Sequence, residues 1–248
     1  MRVRITIEYD GTNYAGWQTQ KNAATVQETI ETAIFEATGE TVRITGAGRT
    51  DAGVHALGQV AHFDITTPIP AEKLSYVLNL VLPEDIRVRE SIGVQEEFHA
   101  RRDAKAKHYR YAIYNAPHAS ALYRNMTAHV RQPLDVEKMK VAANFLVGQH
   151  DFAAFQATGS NLKGTVRTIY SLQVTQIAEN IYIDITGNGF LYNMVRIIAG
   201  TLIEIGKGQK QPGDMATILA GVERKYAGAT APARGLTMMS VYYEHSLG

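Results

Sequence analysis

Val3, Ile5, Ile7 and Tyr9 alternate with Arg2, Arg4, Thr6 and Glu8. A period of two commits this opening segment to a strand with one buried face. Thr25 with Glu28 three residues on then forms a capping-box signature, which predicts a helix over Val26–Ala37 stopped by Gly39. A short strand at 41–45, a strand at 58–65, a helix after Pro70 through Leu82 and a strand at 86–94 complete the order βαββαβ. The second half reads the same way: a strand at 107–114, a helix at 135–146, strands at 165–176 and 180–186, a helix at 191–205 and a last strand at 237–243. No residue-level repeat accompanies this, so element order alone argues for duplication. The expected fold is α+β, two ferredoxin-like (RRM-like) βαββαβ units with mostly antiparallel sheets, residues 1–103 and 104–248. Without a Pro/Gly-rich linker near 97–105, the halves are expected to be joined or tightly packed, with a cleft between them.

With 45% hydrophobic and 20% charged residues, the composition is that of a globular chain and excludes disorder and collagen. The formal charge is only +1, but residues 1–97 hold 8 basic and 14 acidic side chains, against 17 and 10 in residues 98–248. Such asymmetry points to a polyanionic partner on the basic side. From Phe98 to Arg131, seven cations (Arg101, Arg102, Lys105, Lys107, Arg110, Arg124 and Arg131) stand against the single acid Asp103. That density suits RNA phosphates as well as a merely solvated face. The absence of cysteine removes disulfides, thiol nucleophiles and thiolate-bound zinc, and fits a cytoplasmic chain. No histidine pair has metal-ligand helix spacing, so no metal is expected.

The densest unusual segment is Gly46-Ala47-Gly48-Arg49-Thr50-Asp51-Ala52-Gly53-Val54-His55. It fails both common phosphate-loop patterns, so a nucleotide cofactor is not expected. It presents a carboxylate two residues from a guanidinium, between glycines that let a bulky ligand approach. A positive neighbour keeps such an Asp ionised, as a nucleophile or base requires, although these residues are also ordinary turn formers.

Joined to Tyr9-Asp10-Gly11, Gly16-Trp17-Gln18, Phe98-His99-Ala100-Arg101, Tyr109-Arg110-Tyr111, Gly189-Phe190-Leu191-x-x-Met194-Val195-Arg196 and Pro232-x-x-Gly235-Leu236, this segment resembles the tRNA pseudouridine synthase A family over nearly the whole chain. The resemblance implies a cofactor-free homodimer that converts uridines at positions 38, 39 and 40 of the tRNA anticodon stem-loop into pseudouridine. It matches Asp51 to the catalytic aspartate, Arg49 to the arginine that displaces the target base, Tyr109 to the tyrosine that packs on uracil and Arg196 to the arginine that pairs with the aspartate. Phe98, His99, Ala100, Arg101 and Arg102 match an RNA-contacting stretch, and Leu236 counts among the substrate-contacting residues.

The residue types suit that chemistry independently. Cleaving the bond between C1′ and N1 needs one carboxylate, whereas a glycoside hydrolase calls for two. Tyr109 offers a flat face and a hydroxyl for proton relay, but it also sits on a strand face that can be core. Arg196 reads as a surface arginine or as the partner of Asp51. Trp17 could serve RNA as a stacking platform, but its Gly-Trp-Gln turn after the first strand reads better as an anchor for the loop. A non-catalytic RNA-binding module and an RNA nucleoside hydrolase stand as the alternatives.

Overall fold

The computed structural model describes residues 1–159 and 164–244. The chain is a mixed α+β protein with mostly antiparallel strand pairing, and it divides into two compact units. Residues 1–105 and the last strand from Thr237 form one, and Ala106–Leu236 the other.

In the first unit, β1 (Arg2–Tyr9) buries Val3, Ile5, Ile7 and Tyr9, as the alternation requires. It is followed by α1 (Val26–Thr38), β2 (Thr45–Gly46), β3 (His55–Asp64), α2 (Leu74–Val81) and β4 (Ile86–Val94). Strand β1 lies between β3 and β4, antiparallel to both. Thr25 caps α1 by accepting from the Glu28 amide, and Gly39 ends it in the left-handed conformation. Val26, Ile30, Ala33 and Ile34 form its buried stripe, and α1 packs beside α2.

The expected strand at 41–45 shrinks to two residues. Side chains of α1 occupy the main-chain groups a ladder would use: the Ile44 amide donates to Glu31, and the Ile44 carbonyl accepts from Gln27. Strand β3 starts three residues before the expected 58, because Thr237 and Met238 pair in parallel with His55 and Ala56.

The second unit runs β5 (Ala106–Asn115), β6 (Ala128–Val130), α3 (Val136–Asn144), β7 (Gly148–Asp151), β8 (Val166–Ile177), β9 (Asn180–Gly187), α4 (Met194–Gly206) and α5 (Asp214–Gly221). Its sheet order is β5-β9-β8-β7, antiparallel throughout, with β6 parallel to β5. Three of these elements, β6, β7 and α5, had no signal in the periodicity. Helix α4 starts at Met194 and not at 191, because Asn193 takes the left-handed conformation ahead of it. The last strand, β10 (Leu236–Tyr242), carries its residues from Thr237 onward back to the first unit, so grouping departs from a single division at 103/104. Among the described residues no helix is long and apolar enough to cross a membrane.

Candidate active site

Residues 47–54 form the loop between β2 and β3, and hydrogen bonds tie it down on several sides. The Ala47 amide donates to Val60 O at 2.7 Å, Gln59 Nε2 to Gly48 O at 2.8 Å and the Trp17 amide to Thr50 O at 3.0 Å. Inside, the Tyr9 hydroxyl meets Thr50 Oγ1 at 2.7 Å. Thr50 is therefore buried, while Asp51 is half-buried and Arg49 exposed. Thr50, held by Tyr9 through its side chain and by Trp17 through its carbonyl, fixes the backbone immediately before Asp51, which is what general-base or nucleophilic work needs.

Gly16 explains part of the constellation around this loop. Its φ is +98°, and a Cβ there would lie 2.6 Å from Thr50 O. Only glycine lets the turn after β1 press against the backbone that precedes Asp51. Trp17, 2% exposed, packs near Tyr9 with ring centroids 6.1 Å apart, so it anchors the loop as expected. Asp10 accepts from the Thr12 amide and hydroxyl and lies 3.0 Å from His55 Nδ1. Burial opposes its ionisation, but the Thr12 bonds and His55 outweigh this and hold its carboxyl below the usual range.

The stretch from Phe98 to Asp103 is a built turn. Asp103 accepts from the His99 amide at 2.7 Å, and His99 Nδ1 accepts from the amides of Arg101 and Arg102 at 3.2 and 3.3 Å. Ala100, fully buried, donates its amide to His62 Nδ1 at 3.1 Å, and the Tyr243 hydroxyl donates to its carbonyl. Phe98 packs against His62 and Tyr243. The turn thereby holds the exposed side chains of Arg101 and Arg102 outward. Burial, His99, Arg2 and Arg102 all hold His62 below its usual range, which suits its role as an acceptor. Arg49 and Arg101 also line one open hollow.

The other site residues belong to the second unit. Tyr109, on β5, is 7% exposed, and its ring meets Phe190 edge-on at 5.2 Å. Arg196, in the first turn of α4, is half-buried; its Nε donates to Ala231 O at 2.8 Å and one terminal nitrogen to Asn193 Oδ1 at 2.9 Å. The plain solvated-surface reading of Arg196 is thereby excluded. Leu236 is buried at the start of β10, next to Gly235, where a Cβ would come 2.6 Å from the Tyr111 ring. The Tyr111 hydroxyl donates to Pro232 O at 2.8 Å, so the Pro232-x-x-Gly235 spacing is a docking site for a core tyrosine.

The structure thins the basic patch. Arg110 forms a two-pronged pair with Asp184 at 2.9 and 3.1 Å and stacks over Tyr182, and His108 joins the same carboxylate at 2.7 Å. Among the weaker cluster, Lys210 pairs with Glu204 and Lys225 with Glu223. Among the described residues no carboxylate pairs with Arg49 or Arg101. Sequence reading missed Arg43, which lines the same hollow as those two arginines. Its place in the acidic first half hid it. No group of three or more metal-ligating side chains assembles among the described residues.

Asp51 follows a braced residue, and Arg49 and Arg101 line one hollow with no carboxylate among the described residues paired to them, an arrangement that suits an anionic ligand. The family described as tRNA pseudouridine synthase matches residues 5–103 and 142–244, and the chain belongs to it. It is 56% identical to "tRNA pseudouridine synthase A" of Ruminiclostridium cellulolyticum, over 98% of this chain and 99% of that protein. It is 53% identical to the protein of the same name from Acetivibrio thermocellus, over 97% and 99%. Among solved structures, an archaeal box H/ACA sRNP Nop10-Cbf5 complex matches with a TM-score of 0.39 and 10% identity, over 94% of this chain and 46% of that one.

Proposed function

We propose that this chain isomerises uridine to pseudouridine in tRNA, at positions 38, 39 and 40 of the anticodon stem-loop, as a cytoplasmic homodimer of two-domain, ferredoxin-like protomers. The reading rests on family membership together with the brace on Asp51, whose preceding residue is locked by Tyr9 and Trp17. The order of the first unit, β4-β1-β3 with β2 and the start of β10 sharing the far side of β3 and α1 and α2 as connections, supports the ferredoxin-like assignment.

The reaction breaks the bond between C1′ and N1, turns the uracil and forms a bond from C1′ to C5, after which C5 releases its proton and N1 takes one up. Atoms and oxidation state are conserved, so the chemistry requires no cofactor. Asp51 acts on the sugar, either by attack or by proton removal. Tyr109 packs on the uracil and relays a proton through its hydroxyl. Arg196 pairs with the Asp51 carboxylate, and Arg49 fills the space left by the extruded base. Arg101 and Arg102, on the turn held by His99 and Ala100 behind Phe98, contact phosphates, and Leu236 contacts the substrate.

Asp10 and Asp103, the two motif carboxylates that could serve as a second catalytic acid, are both occupied within their own turns, which favours isomerase over hydrolase. The test uses tRNA tritiated at uridine C5. Release of tritium with matching formation of pseudouridine is expected. Binding without release overturns the enzyme reading, and free uracil makes the protein a hydrolase.

A further inference from the structure

A hollow of about 200 Å³ opens beside the Asp51 loop, lined in part by Trp17, Gly46, Gly48, Arg43, Arg49 and Arg101. Small-molecule pockets run from about 300 Å³ upward, so this one suits a group the size of a phosphate better than a whole nucleotide. Three guanidinium-bearing residues border it. Glu31 pairs with one of them, Arg43, and does structural work: its Oε1 accepts from the Ile44 amide at 3.0 Å and from Gln27 Nε2 at 2.8 Å, and its Oε2 accepts from Arg43 at 3.2 Å. The Glu31 side chain is 15% exposed and that of Arg43 is 63% exposed. Glu31 thus acts as a partly buried post from which Arg43 extends, while Arg49 and Arg101 bring charge that no carboxylate among the described residues cancels.

We infer that this hollow is a phosphodiester site for the RNA strand that carries the reacting uridine, and that Arg43 is its unrecognised ligand. The inference rests on the proposed activity. Asp51 acts on the sugar of that uridine, so the phosphodiesters on either side come within a nucleotide's reach of the loop. Arginine is the residue type whose planar fork matches phosphate oxygens. The preceding turn fixes Arg101, Glu31 fixes Arg43, and the Asp51 loop itself supplies Arg49. The site therefore sets strand register against the carboxylate, which is what backbone contacts contribute.

The experiment measures tRNA affinity against salt for the wild type, Arg43→Ala and Arg43→Lys. Arg43 is exposed and outside the catalytic set, so folding is not at stake. Arg43→Ala is expected to lose one phosphate's share of the salt dependence, so that its affinity falls about threefold less than that of the wild type between 50 and 200 mM salt. KM rises and kcat stays. Arg43→Lys restores the salt dependence.

Single methylphosphonates placed around the target uridine then locate the contact. One position is expected to weaken the wild type and leave Arg43→Ala unaffected. An unchanged salt dependence in Arg43→Ala, or no position at which the two effects fail to add, overturns the site. If the wild type releases no tritium while Arg43→Ala still shows the smaller salt dependence, the RNA site stands and the activity reading falls.

Discussion

The hydroxyls of Tyr9 and Thr50 lie 2.7 Å apart in a buried setting, joining the end of β1 to the residue immediately before Asp51. Either hydroxyl can donate. Burial pushes the Tyr9 phenol far above its usual range, so it is neutral at every working pH. Tyr9→Phe leaves Thr50 Oγ1 without this partner and is expected to cost about 1–3 kcal/mol of stability. It lowers kcat through looser placement of Asp51, while tRNA affinity holds. Urea unfolding and single-turnover tritium release check this, and unaltered turnover in the destabilised variant would show that the brace serves folding alone.

Asp51→Asn is isosteric, and it removes the charge that nucleophilic or basic chemistry needs. Turnover is expected to vanish, with tRNA affinity within a few fold of wild type, because a carboxylate adds nothing to phosphate binding. Filter binding beside tritium release separates the two effects, and retained turnover rules out the catalytic assignment.

Arg196 already supports the chain by donating to Ala231 O and Asn193 Oδ1. Removing its charge-assisted bonds with Arg196→Met is expected to cost about 1.5–3 kcal/mol. Arg196→Lys recovers part of that stability but not kcat, since an ammonium cannot reproduce a planar fork. Full activity in Arg196→Lys would reduce the role of Arg196 to holding the 229–231 segment.

Arg49→Ala is expected to slow reaction on a uridine inside a stem far more than on one that is already unstacked, because only the first must be extruded. Parallel rates on a stem-loop and an open-strand substrate give the answer. Equal losses on both would remove the base-displacement role.

His62 accepts the Ala100 amide, and its affinity for protons is depressed in the fold. The unfolded state then binds the extra proton first. The stabilisation is complete above about pH 6.5 and is lost as pH falls from there toward the lower native value. His62→Asn keeps a carbonyl acceptor without a titration, so its stability is expected to decline less than that of the wild type between pH 7 and 5.5. Parallel urea titrations decide it, and identical declines would sink the linkage.

Local signals made several elements legible. The alternation of Val3 to Tyr9 and the Thr25–Glu28 cap carry their own hydrogen bonds and burial, so β1 and α1 form where the pattern puts them. Strand β6, with three residues, and β7, reading Gly-Gln-His-Asp, have too little pattern to announce themselves, and only their neighbours in the sheet make them strands. The shortened β2 is a competition that sequence does not display: the Glu31 and Gln27 side chains reach the backbone at Ile44 before another strand can.

The site divides along the same line. Residue type and order alone singled out Asp51 and Arg49 as candidates, and the order of motifs from Tyr9 to Leu236 carried the family resemblance, because such patterns are written along the chain. Which cations stay available for RNA was decided in three dimensions. Asp184 takes Arg110 out of the basic run, while Glu31 holds Arg43 out from the acidic half into the hollow. Charge counted along the chain sums over neighbours in sequence, whereas binding depends on which charges remain uncancelled in space.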